Sequence, residues 1–342
     1  MQNVSIAVLG TGFWGGEWLR AIASVEGVTV AATAGHHPSL PPETELAPDY
    51  RHYTDYKQAI DDTAADAVLV VLPVGLHAEA VLRALKAGRH VICEKPVATN
   101  TDEVTALVAA ATASDRVVMV NQNYRWRPWA RFVRSKIAEG LLGEVAHINV
   151  RFSQPEILLG GRGDLEFPLL QDMSIHHFDL LRYLTGKNAV ELYARAHRPP
   201  WSKYTGAPGL DAVITMEDDI QVSYSGSWAG RGRATTWDGD WSIQGDRGLL
   251  TMTDGLLAYY LESAGAELAL AGNSTTQPVL LDIPPLALGD LQSSLHSFRM
   301  AIESKEAPET DLRDNQHSIA IVYAAEESVR IGQPVQIGTS RS

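Results

Sequence analysis

The chain has 342 residues, more than one hydrophobic core ordinarily supports, so two domains are expected. It carries 28 Lys and Arg against 41 Asp and Glu, a formal net charge of −13 with no basic run, which argues against nucleic acid or an anionic membrane surface as the main partner. The single cysteine, Cys93, has no internal partner for a disulfide and sits in an apolar run, which fits a buried structural thiol in a reducing compartment.

The first apolar run, Val4–Leu9, is short and followed by glycine, and it lacks a basic segment before it. It reads as a strand and not as a signal peptide, and no stretch approaches the roughly 20 apolar residues needed to span a bilayer. A cytoplasmic address is expected. Further strands are expected at Val28–Thr33, Ala67–Leu72, His90–Cys93 and Val117–Val120. Between them the spacing predicts helices near Gly15–Ser24, His77–Ala87 and Thr101–Ser114, with Val81, Leu82 and Leu85 on one face of the second and Thr101 capping the third. Continuous apolar strands alternating with helices predict a doubly wound parallel sheet of the Rossmann type over residues 1–121.

After Asn121 the texture changes. A helix is expected over Pro128–Glu139, a strand at Glu144–Phe152, a Gly- and Pro-rich loop over Pro155–Pro168, and a helix near Ser174–Leu184. Alternating segments follow at Val190–Ala196, Ala212–Met216, Ile220–Ser227, Thr235–Gln244 and Gly248–Thr253, then helices near Gly289–Ser304 and Asn315–Ile331. Residues 122–342 therefore read as an α+β domain with an open-faced, mostly antiparallel sheet.

Directly after the first strand stands Gly10-Thr11-Gly12-Phe13-Trp14-Gly15, a GxGxxG turn in the strand-to-helix context that dinucleotide binding requires. Gly10 permits the turn, Gly12 lets the backbone approach a pyrophosphate, and Gly15 lets helix and strand pack closely. The second strand ends in Thr33-Ala34-Gly35-His36-His37, without the carboxylate that usually binds the ribose of NAD. NAD or NADP is expected, with a lean to NADP, Gly35 leaving room and His36 or His37 meeting the 2′-phosphate.

Two further clusters carry chemistry. Glu94-Lys95-Pro96 follows the fourth strand, where the Lys95 ammonium is suited to polarising a substrate oxygen, and the Lys95–Pro96 bond is a candidate cis peptide. In Gln171-Asp172-Met173-Ser174-Ile175-His176-His177-Phe178-Asp179, a regular helix puts Asp172 and His176 on one face, where a carboxylate orients an acid–base imidazole. A metal pair is the competing reading, but no third ligand is evident and no metal is expected. For His177 and Asp179 a packed or salt-bridged helix face is the expectation. The loop Leu159–Gly163 is positioned in the chain to cover a site. Of the eight tryptophans, which include Trp126, Trp129, Trp201, Trp228, Trp237 and Trp241, one or two are candidates for stacking on sugar C–H faces, while core or interface packing is the expectation for each taken singly.

Taken together, GTGFWG at residues 10–15, Leu76-His77, EKP at 94–96, Asn123-Tyr124-Arg125, IAEGLLGEV from Ile137 and DMSIHHFDLLRYLTG from Asp172 resemble the Gfo/Idh/MocA oxidoreductases. The resemblance implies hydride transfer between NAD(P) and a sugar, polyol or sugar derivative. It implies that Lys95, Asp172 and His176 are catalytic, with His176 exchanging the hydroxyl proton and Asp172 binding substrate or orienting the histidine. It implies cofactor contacts at Gly10, Gly12, Phe13, Trp14, Gly15, Gly35, His36, Pro73, His77, Glu94, Lys95 and Asn123. Substrate contacts are implied at Lys95, Tyr124, Arg125, Asp172 and His176, and a homodimer or homotetramer through the open sheet. Leu72-Pro73-Val74 departs from the family's usual Thr-Pro-Asn-like turn, and Gly35-His36 from its usual second-strand ends. The rival readings are an NAD(P)-binding sensor without turnover and an enzyme that cleaves glycosides through transient oxidation.

Overall fold

A computed structural model describes residues 3–36, 40–157, 162–261 and 278–338. By contact density the chain forms two units, Met1–Trp126 with Ala287–Gln316, and Arg127–Leu286 with His317–Ser342.

The first unit is built on six parallel strands, β1 (Val4–Leu9), β2 (Val28–Ala34), β3 (Leu46–Tyr53), β4 (Ala67–Val70), β5 (His90–Cys93) and β6 (Val118–Val120), in the order β3-β2-β1-β4-β5-β6. That is the doubly wound order in which ligands lie at the carboxyl ends of the strands. Every residue of β2 and β4 is buried, as expected of strands covered on both faces. The helices are α1 (Phe13–Ala23), α2 (Tyr56–Asp62), α3 (His77–Lys86) and α4 (Thr101–Thr112). Asn100, not Thr101, caps α4: its side chain accepts from the Glu103 amide at 2.9 Å, so the cap lies one residue earlier than expected. One sheet face is covered by α1 and by a helix from much later in the chain, Asp290–Ser304, whose Leu295, Phe298 and Ala301 join Ile6, Val8, Trp18, Ile22 and Val30 in one core.

The second unit begins with α5 (Pro128–Ala138) and β7 (Val145–Ser153). A π-helical turn over Leu170–Ser174 runs straight into α6 (Ile175–Thr185). The strands β8 (Ala189–His197), β9 (Gly209–Met216), β10 (Gln221–Ser227), β11 (Asp240–Gly245), β12 (Gly248–Thr253), β13 (Leu256–Leu261), β14 (Val279–Leu281) and β15 (Val335–Gln336) join β7 in a nine-stranded sheet. Its order is β14-β13-β12-β11-β7-β10-β9-β8-β15, antiparallel except for the β7–β10 pair. The inner face carries Ile148, Val150, Phe152, Ile214, Val222, Tyr224, Trp241 and Ile243, all nearly inaccessible, and the other face stays open. The Asp290–Ser304 helix becomes α7, and α8 (Leu312–Ile331) follows it.

Candidate active site

The glycine turn after β1 has the geometry its sequence requires. Gly10 has φ +103°, and a methyl there or at Gly15 would overlap a backbone carbonyl, of Val71 and Gly10 respectively. Above Gly12 there is open space, with no atom within 4 Å of where a Cβ would stand. Gly12 is the N-cap of α1, no side chain caps the helix, and its first turn holds no acid. The free N–H groups and the positive end of the helix dipole thus face an uncrowded approach, which fits a bound pyrophosphate. Phe13 and Trp14 stand exposed beside it as an edge-to-face pair with centroids 5.6 Å apart.

At the end of β2, Ala34 is buried, His36 is exposed, and Gly35 lies against Thr11, so a Cβ at 35 would collide with the Thr11 hydroxyl. The position where an acid commonly stands is closed by Thr11. His37 lies outside the described residues.

Glu94 is a hub. Its Oε1 accepts from the buried Trp18 indole and from the Asn121 amide, each at 2.8 Å, and its Oε2 from the Lys95 backbone amide at 3.2 Å. The following Lys95–Pro96 bond is cis, and the Lys95 side chain is half-buried. Trp18 and Asn121 were not singled out from sequence, because an apolar helix face and a strand end advertise no partner. His77, 2% exposed, directs Nδ1 at the Pro96 carbonyl (2.8 Å) and Nε2 at the Leu72 carbonyl (2.6 Å), clamping the loop after β4 to the loop after β5. Pro73 is exposed in the first of these loops and Asn123 half-buried after β6. Tyr124 and Arg125 are buried, and the Arg125 guanidinium donates to the Glu309 carbonyl and to Asp314, both at 2.9 Å. Cys93 is fully buried, and burial pushes its thiol well above the ordinary range.

In the second unit Asp172 lies inside the π turn, and His176, 5% exposed, lies in the first turn of α6. The regular helix assumed for this pair is therefore corrected: the wider π turn changes the phase between them, and such turns concentrate at functional sites. His177 and Asp179 are buried, in keeping with a packed helix face, and Asp179 accepts from the Ser318 hydroxyl at 2.6 Å. Burial pushes the His177 imidazole down to about 4. Of the loop expected to cover a site, residues 159–161 lie outside the described residues, and Arg162–Asp164 forms a short 3-10 turn. Among the described residues no group of three His, Cys, Asp or Glu side chains is placed to hold a metal ion, and no helix is long and apolar enough to cross a membrane.

A parallel sheet in dinucleotide-binding order, with its phosphate turn intact and a second unit on a large mixed sheet, defines a two-domain nucleotide-dependent enzyme fold. The sequence profile of the GFO/IDH/MocA oxidoreductases' NAD-binding Rossmann fold matches residues 4–122, and that of their C-terminal domain matches residues 130–251. The chain belongs to the GFO/IDH/MocA oxidoreductase family. It is 30% identical to levoglucosan dehydrogenase of Pseudarthrobacter phenanthrenivorans over 63% of this chain and 60% of that one. It is 25% identical to D-apiose dehydrogenase of Rhizobium rhizogenes over 99% of each. A solved structure of levoglucosan dehydrogenase in complex with NADH and L-sorbose superposes with a TM-score of 0.83, at 22% identity over 99% of this chain and all of that one.

Proposed function

We propose that this protein transfers hydride between a nicotinamide cofactor and a secondary alcohol or ketone of a sugar, polyol or sugar derivative. The observation that carries the reading is the uncrowded Gly12 turn at the N-terminus of α1, in a chain with both domains of the family. The names of the relatives, levoglucosan and apiose dehydrogenases, support the substrate class. When bound, the cofactor supplies a two-electron hydride acceptor or donor. His176 takes the hydroxyl proton on oxidation and returns it on reduction. The Lys95 ammonium stabilises negative charge developing on the substrate oxygen, and Asp172 orients the histidine or holds a substrate hydroxyl. Pyrophosphate is held by the turn at Gly10, Gly12 and Gly15 with Phe13 and Trp14 beside it, and Glu94 fixes the backbone of Lys95.

The end of β2 supports NADP over NAD: neither Ala34 nor Gly35 sets a carboxylate against a 2′-phosphate, and His36 is exposed to meet it. Titration with both cofactors checks this, and a clear preference for NAD refutes it. The open sheet face presents Asn149, Arg151, Tyr193, Arg195, Asp211 and Val213, and we read it as the surface that pairs with a second copy, measurable by sedimentation. Activity is tested by nicotinamide absorbance with a panel of sugars and polyols. Lys95→Ala and His176→Ala should each lower turnover about 100- to 10,000-fold while leaving dinucleotide affinity nearly intact. Near-normal turnover in the His176 variant rejects its role.

A further inference from the structure

The second unit contains a buried polar chain that the proposed chemistry does not use. Ser174, the last residue of the π turn, is inaccessible, and its Oγ lies 3.0 Å from Tyr224 Oη. Tyr224 Oη in turn lies 3.1 Å from His177 Nδ1. The His177 ring is enclosed by Phe152, Tyr224 and Trp241, with centroids 5.1, 5.7 and 6.2 Å away. Gly226, two residues along β10, leaves the room this needs, because a methyl there would run into the Tyr224 hydroxyl and Leu169.

Burial keeps His177 neutral, so the ring has one N–H and one acceptor nitrogen. Tyr224 Oη stands between the Ser174 hydroxyl and His177 Nδ1, within hydrogen-bond reach of both. Burial also raises the Tyr224 phenol, which keeps its proton. The hydrogen bonds run from Ser174 through Tyr224 to His177 and tie the π turn, β10 and the first turn of α6 together.

Asp172 precedes Ser174 by two residues and His176 follows it by two. A π turn is rare and poorly held by its own backbone, so its register needs outside support. Tyr224 grips it on both sides of the junction with α6. We propose that Tyr224 is a positioning residue which, through Ser174 and His177, fixes the π-to-α junction and so sets the bearings of Asp172 and His176. This rests on the reading of His176 as the proton carrier.

The test is Tyr224→Phe in the full chain, which keeps the ring and removes one oxygen, with Ser174→Ala as the second variant. Thermal unfolding and dinucleotide affinity serve as controls. Turnover should fall about 10- to 100-fold, the scale of a sub-ångström misplacement, with the KM for cofactor unchanged. In 15N-histidine NMR, wild-type His177 should show a single tautomer, held by its hydrogen bond with Tyr224. In Tyr224→Phe that tautomer should mix, and the His176 imidazole signals should move. The NMR arm needs no turnover, so failure of the wild type on every polyol sinks the proposed function and leaves this inference to be decided by the spectra. A folded Tyr224→Phe protein with unchanged His176 signals overturns it, as does unchanged turnover. Should Tyr224→Phe not fold, unchanged His176 signals in Ser174→Ala overturn it equally.

Discussion

Acidification should weaken the second unit through one residue. His177 is completely buried in an aromatic enclosure, and its folded pKa is driven from 6.5 to about 4, chiefly by desolvation. Its folded value lies below its unfolded one, so the unfolded chain takes up the proton first. Stability is thus fully present above about pH 6.5 and drains away as the pH falls toward 4. Each pH unit inside that window costs about 1.4 kcal/mol, so between pH 7 and pH 5 His177 alone removes about 2 kcal/mol. Replacing it by glutamine abolishes this contribution whatever the substitution costs at neutral pH, since only the slopes are compared. Urea unfolding followed by indole emission, to which Trp237 and Trp241 beside the enclosure contribute, gives both slopes. The wild type should lose about 2 kcal/mol more than His177→Gln between pH 7 and 5. Equal losses, within about 0.5 kcal/mol, would refute the argument, because a ring that protonates as readily folded as unfolded is not shielded from water.

Gly15→Ala should abolish dinucleotide binding or the fold of the first unit, since its methyl cannot coexist with the Gly10 carbonyl, whereas Gly12→Ala, with open space above it, should fold and lose only cofactor affinity; calorimetric titration and circular dichroism separate the two. Cys93 should resist a thiol reagent at pH 8 in the native protein and react at once in urea, because burial raises its pKa and denies access; prompt native reactivity contradicts its placement. Trp18→Phe should lower melting by a few degrees, since losing a hydrogen bond to the Glu94 carboxylate costs about 1.5–3 kcal/mol.

The first sheet was legible because parallel strands buried on both faces leave continuous apolar runs, as Val28–Ala34 and Ala67–Val70 do. Its edge strand β3, which reads LAPDYRHY, was not. An edge strand exposed along most of its length has no apolar face to announce it and tolerates Pro48. The helix Asp290–Ser304 was visible as a helix, but residue types do not say which sheet a helix will cover, and its Leu295 and Phe298 complete the core of the first unit from far beyond Met119, the preceding core residue in the chain. The Asn100 cap was available in principle, since Asn100 followed three residues later by Glu103 is the pattern of a capping box, and Thr101 obscured it. The π turn at Leu170–Ser174 had no such signal. Its phase is set by what packs on it, and Tyr224 contributes from β10, an element whose partnership with the turn only the fold reveals.

The motif residues divide by where their polar atoms go. His77 spends both ring nitrogens on loop carbonyls, Arg125 is committed to Glu309 and Asp314, and Glu94 to Trp18, Asn121 and a backbone amide. These groups hold loops at the carboxyl edge of the first sheet. Phe13, Trp14 and His36 are the opposite case, large side chains left in the open around a turn whose N-cap is a glycine. Exposing Phe13 at 74% and Trp14 at 46% carries a hydration cost that their burial would remove. Motif letters alone do not separate the two groups. Burial and hydrogen bonding do, and they direct substitutions aimed at affinity to residues 13, 14 and 36 and those aimed at loop geometry to residues 77, 94 and 125.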